Sequence, residues 1–234
     1  MALFVIVALI PLALYRPVIA KHLKVKREKK IVRFTDSFTF FARPKIIKRV
    51  ILLLTFYSGI IGVLAMQKPF MVDLGFNVKQ IGLMAGIFGT AIGSICAFIG
   101  GFIIKRFGRR PSLLAFTFLG AIASGFFYII SLGQVELYQL YIGIALVWGT
   151  YGMSSVVIYT ISMDIVRPGR EGTDFTVQIV ITHLSSLVIA VLSGKLADSI
   201  GYSGLFLTQT LMAVVVIGIT YFTYSSKELT CDNS

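Results

Sequence analysis

Charge is what this sequence has least of. Only 14% of its 234 residues are charged, where an ordinary soluble domain carries roughly 25%. Carboxylates are the scarcer sign, ten Asp and Glu against 22 Lys and Arg. None of them falls in the middle of a long apolar stretch. Asp73, Glu136, Asp164 and Asp198 stand at the ends, where solvated or turn-capping roles suit them. Cys96 lies within an apolar stretch and Cys231 near the C-terminus, which makes no disulfide and no metal signature. His22 and His183 are the only histidines, so a His-based metal site is not expected. No glycine-rich loop opens a helix with Gly-Lys-Ser or Gly-Lys-Thr, which leaves ATP-driven work without a site. Ser186, His183 and Asp198 make a catalytic triad only on paper, since Asp198 lies about four helical turns from His183. Neither an enzyme nor a bound cofactor is expected.

Apolar residues are present in quantity. They make up 56% of the chain, with aromatics at 13%, and gather into stretches of about 20 residues, the length that crosses a bilayer core. The expected fold class is an all-α polytopic membrane protein with seven transmembrane helices. A net charge of +12 would suggest a nucleic-acid partner in a soluble protein. Here, eleven of the 22 Lys and Arg lie between Lys21 and Arg49, directly after an apolar stretch. That is the asymmetry of a cytoplasmic loop, so membrane lipid is the expected partner and nucleic acid is not.

Residues 1–20 read as the first transmembrane helix; no basic segment precedes them, which counts against a cleaved signal peptide. Residues 21–49 form the basic cytoplasmic loop. Within it Ile31, Phe34, Phe38 and Phe41 recur at helical spacing, which fits an amphipathic helix on the inner leaflet. A solvated linker with scattered aromatics is the other reading. Residues 50–224 hold six more spans, at 50–66, 81–104, 113–132, 140–163, 175–197 and 205–224, and residues 225–234 are a cytoplasmic tail. Threaded this way, 18 of the 22 Lys and Arg face the cytoplasm, with the N-terminus outside and the C-terminus inside.

The tightest charge between two spans is the stretch from Gly101 through Lys105, Arg106, Gly108, Arg109 and Arg110, four cations about a glycine turn that cannot sit in hydrocarbon. An offset of 93 residues sets this stretch against a second one. Gly93, Ala97 and Gly101 fall on Ser186, Ala190 and Gly194; Lys105 falls on Asp198, Gly108 on Gly201, and Gly59 on Gly152. Equivalent spans then run in opposite directions, as in an inverted repeat of three plus three helices. Chance recurrence of small residues in membrane helices is the plainer alternative. Gly82, Gly86, Gly89, Gly93, Ala97 and Gly101 recur every three or four residues, and Ser186, Ala190 and Gly194 likewise. Both rows predict ridges where a neighbouring backbone approaches closely.

Polar groups at membrane depth are costly and mark candidate sites. Trp148, Tyr151, Ser155, Tyr159 and Ser162 fall at steps of three and four, one inward stripe on span 140–163. Gln178, Thr182, Ser185 and Ser186 make a second stripe on 175–197, and Tyr57, Ser58 and Gln67 add a third source. Such groups suit a polar, partly organic solute held by neutral hydrogen bonds. For the Ser and Thr, bonding between helices without a solute is an equal reading. The candidate solute cavity is Tyr57, Gln67, Trp148, Tyr151, Ser155, Tyr159, Gln178, Thr182 and Ser186. Histidine is the side-chain type suited to exchanging protons at physiological pH, which makes His183 the candidate for proton coupling, against the plainer role of one hydrogen bond to a neighbouring helix.

The spacing Gly-x-x-x-Lys-Arg-x-Gly-Arg-Arg over 101–110 resembles the loop signature of the major facilitator superfamily, with Lys105 where the family has Asp. Pro69 to Phe76 with Ile81-Gly82, Gly172 to Thr176, and Ser193 to Tyr202 resemble segments of AmpG-like muropeptide permeases and RhtX/FptX-type siderophore permeases. The resemblance covers roughly residues 45–225. It implies the C-terminal half of a secondary carrier or symporter in the bacterial inner membrane, in which 1–20 answers to the family's sixth helix. The solute would be a muropeptide or a siderophore, moved by alternating access between two six-helix halves. Gly101, Lys105, Arg106, Gly108, Arg109 and Arg110, with Gly194, Asp198 and Gly201, would be the turn and gating residues. Lys105 removes the carboxylate to which the family's conformational charge pairing is attributed. The implied partner is a missing N-terminal six-helix half, in the same or a separate chain, or a second copy. Met1 falling inside the first span leans toward a fragment. A non-transporting membrane module or split-carrier subunit acting through its partner is the alternative.

Overall fold

The computed structural model describes residues 44–223. The span at 1–20, the amphipathic helix of the basic loop and the tail at 225–234 lie outside the described residues. Those described are helical or in turns: α1 (Pro44–Thr55), α2 (Ser58–Asp73), α3 (Val78–Ile81), a π-helix (Gly82–Phe88), α4 (Gly89–Phe107), α5 (Arg109–Ser131), α6 (Leu137–Asp164) and α7 (Glu171–Thr223). Helix begins at Pro44, inside what the sequence assigns to the basic loop; proline suits a first turn because it lacks only a donor that would be unpaired there.

Five stretches are long and apolar enough to cross a membrane: Val50–Asp73, Val78–Phe107, Arg109–Ser131, Leu137–Asp164 and Glu171–Phe222. The sequence leads one to expect six over this region. The difference lies in α7, whose 53 residues would extend about 80 Å at 1.5 Å per residue, against a hydrocarbon core of about 30 Å. Gly201, at φ 72° and ψ 174°, interrupts it. Only glycine adopts that backbone freely, and the arms on either side, 171–200 and 202–223, cover the expected apolar segment 175–197 and the described part, 205–223, of the other. Gly108 makes the turn between α4 and α5 at nearly the same angles, φ 87° and ψ 173°.

Local side-chain chemistry explains the other boundaries. Asn77 and Gln80 form a reciprocal cap at the start of α3, Gln80 N donating to Asn77 Oδ1 (2.9 Å) and Asn77 N to Gln80 Oε1 (3.0 Å). Glu136 and Gln139 do the same for α6. Between α1 and α2, Thr55 Oγ1 donates to Ile51 O (2.8 Å) and Ser58 Oγ to Thr55 O (2.6 Å). Hydroxyls competing for backbone carbonyls bend a helix, and the ladder stops at Phe56-Tyr57.

α4 runs along α6, α5 packs on α6, and α7 packs on α2 and α5. The α4–α6 contact depends on missing side chains. A Cβ on Gly152 would overlap the Gly93 carbonyl, one on Gly89 would lie 2.7 Å from the Trp148 ring, and one on Gly100 would lie 3.1 Å from Met153 Cα. The row Gly82, Gly86, Gly89, Gly93, Ala97, Gly101 is therefore only partly a ridge, since Gly82, Gly86 and Gly101 face open space. At 3.6 residues per turn, each step of four advances about 40° around the helix, so 93, 97 and 101 walk off the contact. Gly89, Gly93, Cys96 and Gly100 stay on it. The second row is looser, the nearest atom to a Cβ on Gly194 being Met66 Cε at 3.8 Å. At the far ends of the bundle, Tyr202 Oη donates to Asp73 Oδ2 (2.6 Å) and Ser203 Oγ to Ser131 O (3.0 Å).

Candidate functional site

Tyr57 sits in the break between α1 and α2, and this places its ring against α6. Its centroid lies 5.6 Å from that of Tyr151, tilted by 48°, and Tyr151 meets Trp148 edge-on at 6.4 Å. The Trp148 indole fills the notch left by Gly89 and Gly93 on α4. Its Nε1 is buried and makes no hydrogen bond. Tyr57, Tyr151 and Trp148 thus form one aromatic chain from the α1–α2 break onto α6. Tyr159 lies two turns further along α6, uncovered, with its ring 6.3 Å from Phe175 on α7.

The hydroxyl candidates serve their own helices. Ser155 Oγ donates to Gly152 O (2.8 Å), Thr182 Oγ1 to Gln178 O (2.9 Å) and Ser186 Oγ to Thr182 O (3.0 Å). Ser185 alone among these crosses between helices, its Oγ donating to Leu54 O at 2.5 Å. Gln178 is fully buried, and its Nε2 donates to Ser162 O (3.1 Å) and Asp174 O (3.2 Å) while Oε1 has no partner. It therefore ties α7 to the end of α6. Gln67 is equally buried, and neither amide atom is partnered; a buried polar group left so costs about 1–3 kcal/mol. His183 is uncovered on α7, flanked by the uncovered Leu184 and Leu187.

The cations at the α4–α5 turn divide among different tasks. Arg109 Nη2 pairs with Asp164 Oδ1 at 2.8 Å, joining the start of α5 to the end of α6. Arg110 lies over the Tyr221 ring at 5.9 Å and Arg106 over Phe107 at 5.8 Å. The Lys105 side chain is exposed, as are Asp198 and Gly201. Beside this face, Arg167 grips Asp174 through Nε (2.7 Å), Nη2 (2.6 Å) and its backbone N (3.1 Å). Burial of Asp174 is complete. Reading Asp164 as a solvated end group misses its pairing. The available signal was that its span ends on the same face as the 105–110 cations.

Trp148→Phe is expected to keep the notch filled and to hold or raise the melting temperature, because it deletes a buried donor that costs about 1–3 kcal/mol unpaired. A thermal melt in detergent checks this; a clear fall would mean that Nε1 is engaged.

The family model described as Major Facilitator Superfamily matches residues 50–232. Among curated proteins the chain is similar to two from Rickettsia prowazekii (strain Madrid E) assigned as transporters. It is 24% identical to AmpG 1 over 64% of this chain and 34% of that protein, and 23% identical to AmpG 3 over 70% and 39%. It is also 19% identical to AmpG 4 of Rickettsia conorii (strain ATCC VR-613 / Malish 7), over 78% of this chain and 44% of that one. The chain thus spans between a third and a half of the length of these relatives.

Proposed function

The chain belongs to the major facilitator superfamily and is a multi-pass membrane protein of that family of transporters, and from that premise we propose that it is the C-terminal half of a secondary carrier. It moves a polar organic solute, a muropeptide or a siderophore, across a bacterial inner membrane by alternating access. The observation that carries the reading is the aromatic chain Tyr57–Tyr151–Trp148 with a buried, unused indole N–H. Flat aromatic faces with one donor suit a solute that has apolar ring faces and polar edges.

Three further observations support the architecture. Gly108 and Gly201, paired by the 93-residue offset, share backbone angles that few residues adopt, and Gly75 and Gly169 form a near-equivalent pair with φ 90° and 81°. Inverted repeats of three helices build each half of such carriers. In an apolar part of Val78–Phe107 and of Glu171–Phe222 only 17% and 11% of residues are buried, against at least 50% in the other three stretches. These are the faces on which an N-terminal six-helix half, from the same or a separate chain or a second copy, would close. The cation-rich turn at 105–110 and Arg167 and Arg170 sit on the cytoplasmic side in this reading. With no carboxylate in the middle of a described span, His183 is the candidate for proton coupling.

Tyr151→Ala in the complete protein is expected to abolish solute flux in proteoliposomes while membrane insertion stays normal. Unchanged flux would remove Tyr151 from the solute path, whereas a correctly inserted complete protein with no flux at all would favour a module that acts by binding a partner. Gln178→Ala is the poorer probe, because it also cuts the link between α7 and Ser162.

A further inference from the structure

A small cavity lies where the break in the first described span meets α5, α6 and the second arm of α7. Phe56, Gly59, Thr117, Gly120, Thr150 and Ser154 are among its lining residues. It offers about 20 Å³, and one water needs ~10–15 Å³. Three of these residues carry hydroxyls. Thr117 Oγ1 donates to Leu113 O on its own helix (2.5 Å), which leaves its oxygen free to accept. Thr150 is 1% exposed, and its Oγ1 has no partner at all.

The break adds a backbone acceptor. Ile60 N and Ile61 N both donate to Tyr57 O, at 3.1 and 2.9 Å, so the ladder resumes beyond Phe56 and passes over its carbonyl. Two other carbonyls near the break are taken by side chains, Leu54 O by Ser185 Oγ and Thr55 O by Ser58 Oγ. In a membrane, a broken helix is tolerated where side chains, neighbouring helices or ordered water satisfy the freed groups.

We propose that this cavity is a water site, in which one molecule accepts from Thr150 Oγ1 and donates to the Phe56 carbonyl, with the Thr117 and Ser154 hydroxyls as further partners. The lining holds no carboxylate, so it suits a neutral ligand of this size rather than a cation. The water completes the capping that Ser58 and Ser185 begin. The inference rests on the cavity and the helix break, and not on the identity of any transported solute.

Two substitutions carry opposite signs for a wet and a dry cavity. Thr150→Val keeps the shape and removes the hydroxyl. Gly120→Ala sends a methyl toward the cavity at an ordinary 3.6 Å from Thr150 Cγ2. If water is bound, each loses or displaces it and lowers the melting temperature by about 2–4 °C, Gly120→Ala doing so against its own gain in helix propensity. If the cavity is dry, Thr150→Val deletes an unpaired hydroxyl and raises it. A crystal structure of the full chain decides directly. Ordered density about 2.5–3.0 Å from Thr150 Oγ1, lost in Thr150→Val, supports the site. An empty cavity beside other well-defined buried waters, or a higher melting temperature for Thr150→Val, overturns it.

Discussion

Alanine at Gly152 is expected to be among the most destabilising single methyls added to the bundle, together with one at Gly59, whose Cβ would lie 2.5 Å from Ala213 Cα. At Gly152 the new Cβ would overlap the Gly93 carbonyl, with the Gly93 carbonyl carbon 2.9 Å away. Backbone offers no flexible end that can give way, so α4 as a whole must retreat. That retreat loosens the Trp148 ring from Gly89, Met153 from Gly100 and Cys96 Sγ from Gly149, where a Cβ would lie 3.1 Å from the sulfur. Overpacking a close contact costs about 1–3 kcal/mol, and more where the backbone cannot adjust; Gly152→Ala belongs at or above the top of that range. Lipid supplies no hydrophobic drive to press the helices back together. Gly101→Ala is the control, because nothing lies within 4 Å of its Cβ. It is expected to be neutral, or to gain up to about 1 kcal/mol from helix propensity. Melting of both variants in the same detergent checks the pair, and equal behaviour would remove the Gly93–Gly152 contact as the basis of the α4–α6 packing.

Asn at Asp174 carries the second large effect. The carboxylate is fully buried and Arg167 is only 25% exposed, so the pair is shielded from solvent. Removing one partner of a buried ion pair costs about 3–5 kcal/mol, and Arg167, which has contacts besides Asp174, loses its three bonds to this carboxylate, that of its backbone N–H among them. Asp164→Asn is the comparison. Its bond to Arg109 is 2.8 Å, but the side chains are 41% and 21% exposed, which limits the loss to about 1 kcal/mol or less. Unfolding of the two variants side by side should rank Asp174→Asn far below Asp164→Asn. Replacing Arg167 and Asp174 together by Met and Leu should recover part of the loss, since well-packed apolar residues often replace a buried ion pair at little cost.

Much of this fold is written in apolar length and in glycine. The segments at 81–104 and 140–163 fall inside observed helices, and 113–132 overruns its helix by one residue, because few sequences other than membrane spans sustain such runs. The turns at Gly108 and Gly201 were legible because charge or polarity surrounds a glycine there. Other features depend on geometry that a sequence does not carry. The break at Phe56-Tyr57 has no proline; it arises from two hydroxyls, Thr55 and Ser58, that would be ordinary inside a helix. Nothing in Gly82–Phe88 announces a π-helix. The choice of Gly100 over Gly101 as the contact residue turns on the drift of four-residue steps around the helix. Among the candidate cavity residues, aromatic type and spacing put Tyr57, Trp148 and Tyr151 on one list, and the structure brings them into contact. Gln178 joins that list as a polar group at membrane depth, yet its amide is engaged by the Ser162 and Asp174 carbonyls, partners set by how α6 and α7 meet at their ends.

The most direct test of the proposed carrier role is uptake by proteoliposomes containing the complete protein, or this chain with the proposed N-terminal half, under an imposed proton gradient. The probes are a radiolabelled peptidoglycan disaccharide-peptide and an iron-loaded siderophore. The account predicts saturable, gradient-dependent accumulation of one of them, lost in Tyr151→Ala; correctly inserted protein that gives no solute-dependent flux with either would contradict it.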